Sequence, residues 1–258
     1  MSILEAIIQG IIQGLTEFLP VSSSGHLSIY QHFTGNSGES SFMLSIVLHL
    51  GTLLAIFIAF RKTIWNIITL KDMRFFGMLC ISLVVLIPFY FFKNFVEKIS
   101  TDDDIIIEGF CFLYTAAILF LAEKWGKGQK QKSEITVKNA LTVGVFQGIA
   151  LLPGISRSGS TICGGLFSGF NRKLAIEYSF ILGIPTILGG CILELKDMPK
   201  TVDVEIAPFA IGFIVSLTVG LLSIKMLSWL LKSNKFIIFS IYTFLLGITV
   251  IVLGLMGV

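Results

Sequence analysis

Six stretches of the chain, at about 42 to 60, 75 to 92, 105 to 122, 174 to 194, 206 to 226 and 236 to 256, stay apolar long enough to cross a bilayer. Hydrocarbon offers the backbone no water, so such segments satisfy their N–H and C=O groups internally and are read as helices. The residue balance agrees: 54% of the 258 residues are hydrophobic and 14% are charged, against roughly a quarter charged in soluble domains. The expected class is an all-α integral membrane protein forming a single polytopic domain over residues 1–258, because no polar run is long enough for a separate soluble domain. A net charge of +3 spread over loops is topology information and gives no nucleic-acid footprint. Cys80, Cys111, Cys163 and Cys191 lie in apolar segments without a CxxC pair and read as small core residues. The N-terminus lacks the basic region of a secretory signal, and nothing indicates its removal.

Positive charge sets the orientation. Arg61, Lys62, Lys71 and Arg74 follow the first span, and Lys124, Lys127, Lys130, Lys132 and Lys138 follow the third, so both loops are expected in the cytoplasm. Arg172, Lys173, Lys232 and Lys235 then fall on the same side, as do Trp65, Trp125 and Trp229 at span ends. The 93 to 104 loop, with Glu97, Asp102, Asp103 and Asp104, and the mixed loop from Lys196 to Glu205 fit the outer face. Both termini come out on the outer side.

Two shorter stretches do not fit the span pattern. QGLTEFLPVSSSGH at 13 to 26 aligns without a gap on QGIALLPGISRSGS at 147 to 160, placing Gln13 on Gln147, Gly14 on Gly148, Ser22 on Ser156, Ser24 on Ser158 and Gly25 on Gly159. This looks like an internal duplication, with pseudo-repeats of about 1–122 and 123–258. Residues 3 to 19 and 137 to 152 are helix-like but end in Pro and Gly, while 23 to 33 and 159 to 169 are too short to span. Each motif is therefore expected at the tip of a re-entrant helical hairpin. Three crossings separate the motifs, so the repeat is inverted and the two broken tips meet near the midplane.

The composite site would join Glu17, Ser22, Ser23, Ser24 and His26 to Ser156, Arg157, Ser158, Gly159 and Ser160. An arginine deep in a bilayer costs on the order of 3 kcal/mol, so Arg157 needs an anion. Its planar fork suits phosphate or carboxylate, and the neighbouring glycines and serines can turn N–H groups and hydroxyls toward the same oxygens. The blander alternative is an Arg157–Glu17 pair that simply holds the hairpins together. Gln13 and Glu17 are an i, i+4 pair able to present two oxygens to Mg²⁺ or Ca²⁺. The serines and His26 supply a candidate nucleophile and proton carrier, although one serine also serves as a helix N-cap. His49, alone in an apolar span, reads as a core residue, and Glu177 as a first-turn partner of a helix dipole.

At these residues the chain resembles the undecaprenyl pyrophosphate phosphatase family, also called bacitracin-resistance proteins, over essentially its whole length. Gln13, Glu17, Pro20, Ser22, Ser23, Gly25 and His26 match the (E/Q)xxxE and PxSSxGH signature. Pro153, Gly154, Ser156, Arg157, Ser158, Gly159, Ser160 and Thr161 match PGxSRSG(S/A)T. The resemblance implies a multi-pass enzyme of the bacterial plasma membrane, its site open to the outer side. It would remove the terminal phosphate of the polyprenyl pyrophosphate carrier for peptidoglycan synthesis and give bacitracin resistance. It further implies Ser23 as nucleophile, His26 as proton-transfer partner, Glu17 as a metal or catalytic carboxylate, and Arg157 as pyrophosphate anchor, with a divalent cation as cofactor. The expected partners are the lipid and the membrane, with a homodimer left open. Gln13 departs from the Glu of many relatives, which lowers the site's charge and should weaken cation binding. Ser22, Ser24 or a water activated by Glu17 remain alternatives to Ser23. A histidine nucleophile of the type-2 phosphatidic acid phosphatase kind has no candidate beyond His49, and a rhomboid-type protease leaves Arg157 unexplained. A lipid-phosphate flippase that binds without hydrolysis is the alternative from another class.

Overall fold

The computed structural model describes residues 2–35, 39–91, 105–152, 154–196, 206–232 and 236–257. Their regular structure is helical, apart from an isolated bridge between Lys130 and Phe170 and a 3₁₀ turn at Lys132–Glu134. The helices are α1 (Ile3–Thr16), α2 (Ser23–Thr34), α3 (Glu39–Ala59), α4 (Arg61–Ile68), α5 (Met73–Val84), α6 (Leu86–Tyr90) and α7 (Ile106–Trp125). They continue with α8 (Val137–Ile149), α9 (Arg157–Phe167), α10 (Arg172–Lys196), α11 (Ile206–Lys232) and α12 (Ile237–Leu255). The expected outer loops at 93 to 104 and between Lys196 and Glu205 fall, apart from Lys196 itself, outside the described residues, as do Pro153 and Lys235.

Five helices, α3, α7, α10, α11 and α12, are each long and apolar enough to cross a membrane. The span expected at 75 to 92 is not one helix: α5 ends at Val84, and α6 begins at Leu86. Pro88 accounts for the break, since its ring clashes with the carbonyl four residues earlier, that of Val84, and it has no N–H to offer it. Together with α4 this region makes a sixth candidate span, bent by 97°. Pro185 is tolerated inside α10, which runs on to Lys196.

Between the spans lie two pairs of short helices, α1 with α2 and α8 with α9. Small residues let each pair approach its neighbours closely, the usual means of helix association without a hydrophobic driving force. A Cβ at Gly14 would stand 2.8 Å from Val219 Cβ and 2.9 Å from the Ser216 carbonyl, so α1 lies almost backbone to backbone on α11. Gly144, on the α8 face equivalent to Gly10, would meet the Ser82 carbonyl at 2.7 Å. Buried hydroxyls then link helices: Ser82 donates to the Ala140 carbonyl at 2.7 Å, and Tyr178 donates to the Met78 carbonyl at 2.7 Å. The core between them is aromatic, with Phe18, Phe60 and Phe180 packed edge to face. On α12, Ile241, Leu245 and Val252 are about half exposed, an outward apolar surface suited to lipid.

Gly14→Ala is expected to lower the melting temperature in detergent, an overpacking cost of about 1–3 kcal/mol. Gly77→Ala, where a Cβ meets nothing within 4 Å, should leave it unchanged or raise it, as glycine removal from a helix normally does. Equal effects at the two positions would contradict the close α1–α11 contact.

Candidate functional site

Both broken pairs end in the same local structure, and the duplicated residues build it. Ser22 caps α2 by accepting from the Gly25 N–H at 3.3 Å, and Ser156 caps α9 by accepting from the Gly159 N–H at 3.0 Å. Each capping hydroxyl also lies beside the serine two residues on, Ser22 with Ser24 at 3.4 Å and Ser156 with Ser158 at 3.3 Å. Two helix N-termini, with their unused N–H groups and positive dipole ends, are thereby brought to one place. Ser22 adopts a φ of 72°, a conformation uncommon outside glycine and often associated with functional turns.

The charged groups sit where the two motifs differ. Glu17 aligns with Leu151, and Ser23 aligns with Arg157. In the fold Glu17, just past the end of α1, accepts from Arg157 Nη2 through Oε1 and from Ser23 Oγ through Oε2 at 2.7 Å. Gln13 Nε2, one turn earlier, donates to the same Oε2 at 3.2 Å. The pairs are further joined by the Gly154 N–H donating to Ser24 Oγ at 3.4 Å and Ser158 Oγ donating to the Leu19 carbonyl at 3.3 Å. Glu17 is buried and Arg157 largely so, and Arg157 Nη1 is buried without a hydrogen-bond partner. The guanidinium lies on Gly183 of α10, where a built Cβ would overlap it, so no larger residue fits there while Arg157 keeps this position.

A cavity of about 200 Å³ opens beside this cluster. Glu17, Ser22, Ser23, Ser24, Ser156, Arg157 and Ser158 line it, together with His49. Gly159, Ser160 and His26 do not. Gly159 is a packing position, since a Cβ there would stand 3.0 Å from Ser156 Oγ and 3.2 Å from Pro20 Cβ. Ser160 Oγ is buried with no hydrogen-bond partner. His26 points elsewhere: Nδ1 pairs with the Ser22 carbonyl and Nε2 with the Tyr242 hydroxyl, each at 2.7 Å, while its ring stacks on Tyr242 and meets Phe112 edge-on. In this structure the proton-transfer partner expected from the resemblance braces α2 against α12.

His49 corrects the sequence reading in the other direction. Its Nδ1 pairs with the Ser45 carbonyl at 2.8 Å, and its Nε2 faces Glu17 Oε2 at 4.0 Å. An ionisable side chain in a membrane span was itself the signal, because such residues usually face functional cavities. Glu177 is likewise no dipole partner: its carboxylate accepts from Thr63 at 2.5 Å and Lys132 at 2.9 Å, well along α10.

For a cation the protein offers the Glu17 carboxylate and the buried, unpartnered Oε1 of Gln13. Among the described residues no group of three or more His, Cys, Asp or Glu side chains is placed to hold a metal. With so sparse an oxygen set, a divalent cation such as Mg²⁺ or Ca²⁺ would have to take its other ligands from water and substrate phosphate.

Arg157→Leu alone should destabilise the fold by about 3–5 kcal/mol, because it strands a buried carboxylate. Adding Glu17→Gln should recover much of that loss, read as a rise in melting temperature over the single variant. Additive losses would mean that the ion pair does not join the two helix pairs.

Residues 6–249 match the family described as Bacitracin resistance protein BacA. Over 266 residues the chain is 38% identical to the undecaprenyl-diphosphatase of Carboxydothermus hydrogenoformans, covering 100% of this chain and 99% of that protein. It is 37% identical to the undecaprenyl-diphosphatase of Alkaliphilus metalliredigens over 277 residues, covering 99% and 100%. With that of Halothermothrix orenii it shares 37% identity over 263 residues, covering 98% and 99%.

Proposed function

This chain belongs to the Bacitracin resistance protein BacA family, and from that premise we propose how its site hydrolyses undecaprenyl pyrophosphate to undecaprenyl phosphate and inorganic phosphate. The observation that carries the mechanism is the shared carboxylate of Glu17, which holds Ser23 Oγ through one oxygen and Arg157 through the other. Arg157 has a buried donor to spare at Nη1, and with the N–H groups at the starts of α2 and α9 it binds the pyrophosphate oxygens. As phosphate takes over the guanidinium, Glu17 is left with the Ser23 proton. Ser23 Oγ then attacks the terminal phosphorus while its proton passes to Glu17. The bond to the bridging oxygen breaks, and undecaprenyl phosphate leaves with the electron pair and takes up the proton from Glu17, which restores the carboxylate. Water cleaves the resulting phosphoserine, with Glu17 as base, and returns the serine. His49, beside Glu17, lines the same cavity. A divalent cation held by Glu17 and Gln13 would neutralise charge on the phosphate oxygens.

Two re-entrant hairpins, α1–α2 and α8–α9, related by an inverted repeat of about 1–122 and 123–258, account for the matching caps, small-residue faces and serine pairs. The excess of Lys and Arg at one end supports a cytoplasmic position for that end. The cavity, bordered by Gly190, Cys191 and Glu194 toward the other end of α10, then opens outward, with both termini on that side. The protein works in the bacterial plasma membrane, as one domain; a homodimer is compatible with this arrangement.

Detergent-purified protein should release phosphate from undecaprenyl pyrophosphate, which separates hydrolysis from transport. Glu17→Gln and Arg157→Ala should each lower kcat by about 10²-fold or more, the scale for removing a group that stabilises transition-state charge, and Ser23→Ala should abolish turnover. An active Ser23→Ala would transfer the attack to a water activated by Glu17. An inactive wild type under every divalent cation would end the hydrolytic reading. Gly183→Val, by pushing the guanidinium aside, should mimic Arg157→Ala.

A further inference from the structure

A cavity at the charged end of α10 has no part in this chemistry. It measures about 390 Å³ and lies where the ends of α3 and α11 meet the starts of α4 and α10. From Lys173 to Gly190, at the border of the catalytic cavity, is about 25 Å along the helix. Arg61, Lys62, Arg172 and Lys173 surround it.

Among the described residues this positive charge is only partly cancelled. Glu177 also borders the cavity, but its carboxylate is held by Thr63 and Lys132. Arg172 is paired with Glu123 at 3.2 Å. Among the described residues Arg61, Lys62 and Lys173 have no carboxylate within ion-pair distance. The start of α4 adds to the field, because Phe60 provides no side-chain cap and the N–H groups of Arg61, Lys62 and Thr63 have no partner within the helix. One wall is apolar, formed by Phe60 and Ile176. Just beyond, Phe57 and Ile58 of α3 and Met226 of α11 are 38%, 41% and 38% exposed, a surface suited to acyl chains.

We infer that this cavity binds a phosphate group, and its apolar wall and flanking lipid-facing helices assign that phosphate to the headgroup of an anionic membrane lipid. Three unpaired cations and a row of N–H groups match a phosphate's charge and acceptors. The site is distinct from the catalytic cluster, which faces the middle and later turns of α10, so the lipid held here is a resident of the leaflet rather than the substrate.

Lys62→Gln with Lys173→Gln removes two of the unpaired charges without touching the catalytic residues. Titration with phosphatidylglycerol, followed by native mass spectrometry, should show at least one lipid held about tenfold or more less tightly by the double variant than by wild type. Phosphatidylcholine should show no such difference. Lys62→Arg with Lys173→Arg should retain the wild-type affinity. Inorganic phosphate, titrated separately by thermal shift, identifies the source: wild-type-specific stabilisation without lipid selectivity would reassign the site to free phosphate. Equal phosphatidylglycerol affinity in wild type and the glutamine variant, with no phosphate effect in either, would overturn the inference. Undecaprenyl pyrophosphate turnover in the same preparations should be unchanged in detergent, so a failure here is distinguishable from a failure of the phosphatase mechanism.

Discussion

A carboxylate and a guanidinium within a lipid-embedded body each need an opposite charge, and the Glu17–Arg157 pair meets both needs at once. It joins residues 140 positions apart and so determines where two broken helices meet. Serine caps at the starts of α2 and α9 satisfy backbone that would otherwise be stranded away from water. Removing either charge while leaving the other buried costs more than the pair contributes net, which ties structural integrity to the residues proposed for chemistry. The same pairing keeps the arginine at the edge of the cavity.

Symmetry in the scaffold and asymmetry in the chemistry divide the work between the duplicated motifs. Gln13 and Gln147 are both buried, Gly14 and Gly148 both permit close helix contact, and Ser22 and Ser156 both cap. Those matches concern backbone satisfaction and packing, which each half needs alike. The groups proposed for chemistry occupy the mismatched columns, Glu17 opposite Leu151 and Ser23 opposite Arg157, so carboxylate, hydroxyl and guanidinium are supplied once each. A duplicated carboxylate in the place of Leu151 would bring like charges to a common site, and a second arginine in the place of Ser23 would leave Glu17 without its hydroxyl partner.

The α10 helix connects the two charged regions. Its first turns carry Arg172, Lys173 and Glu177 into the basic end, its middle presents Gly183 to the arginine, and its later turns border the catalytic cavity. Such a helix needs no polar core of its own, because neighbouring helices supply the partners. Thr161 pairs with Ser179 at 2.5 Å and Tyr178 with Ser82 at 2.7 Å.

Membrane class, the helical spans, the duplication and the Glu17–Ser23–Arg157 set were legible in the sequence, because hydrocarbon imposes length and polarity rules on each local segment. Hydropathy alone does not register the split of the 75 to 92 span into α5 and α6, which Pro88 imposes through its ring and missing N–H. Tertiary structure alone turned His26 toward Tyr242, brought His49 to Glu17, laid Arg157 on Gly183 and engaged Glu177 with Thr63 and Lys132. None of those outcomes follows from local periodicity. Each depends on which helix faces lie within a few ångströms across separations such as the 216 positions between His26 and Tyr242, and close packing, rather than hydropathy, decides that.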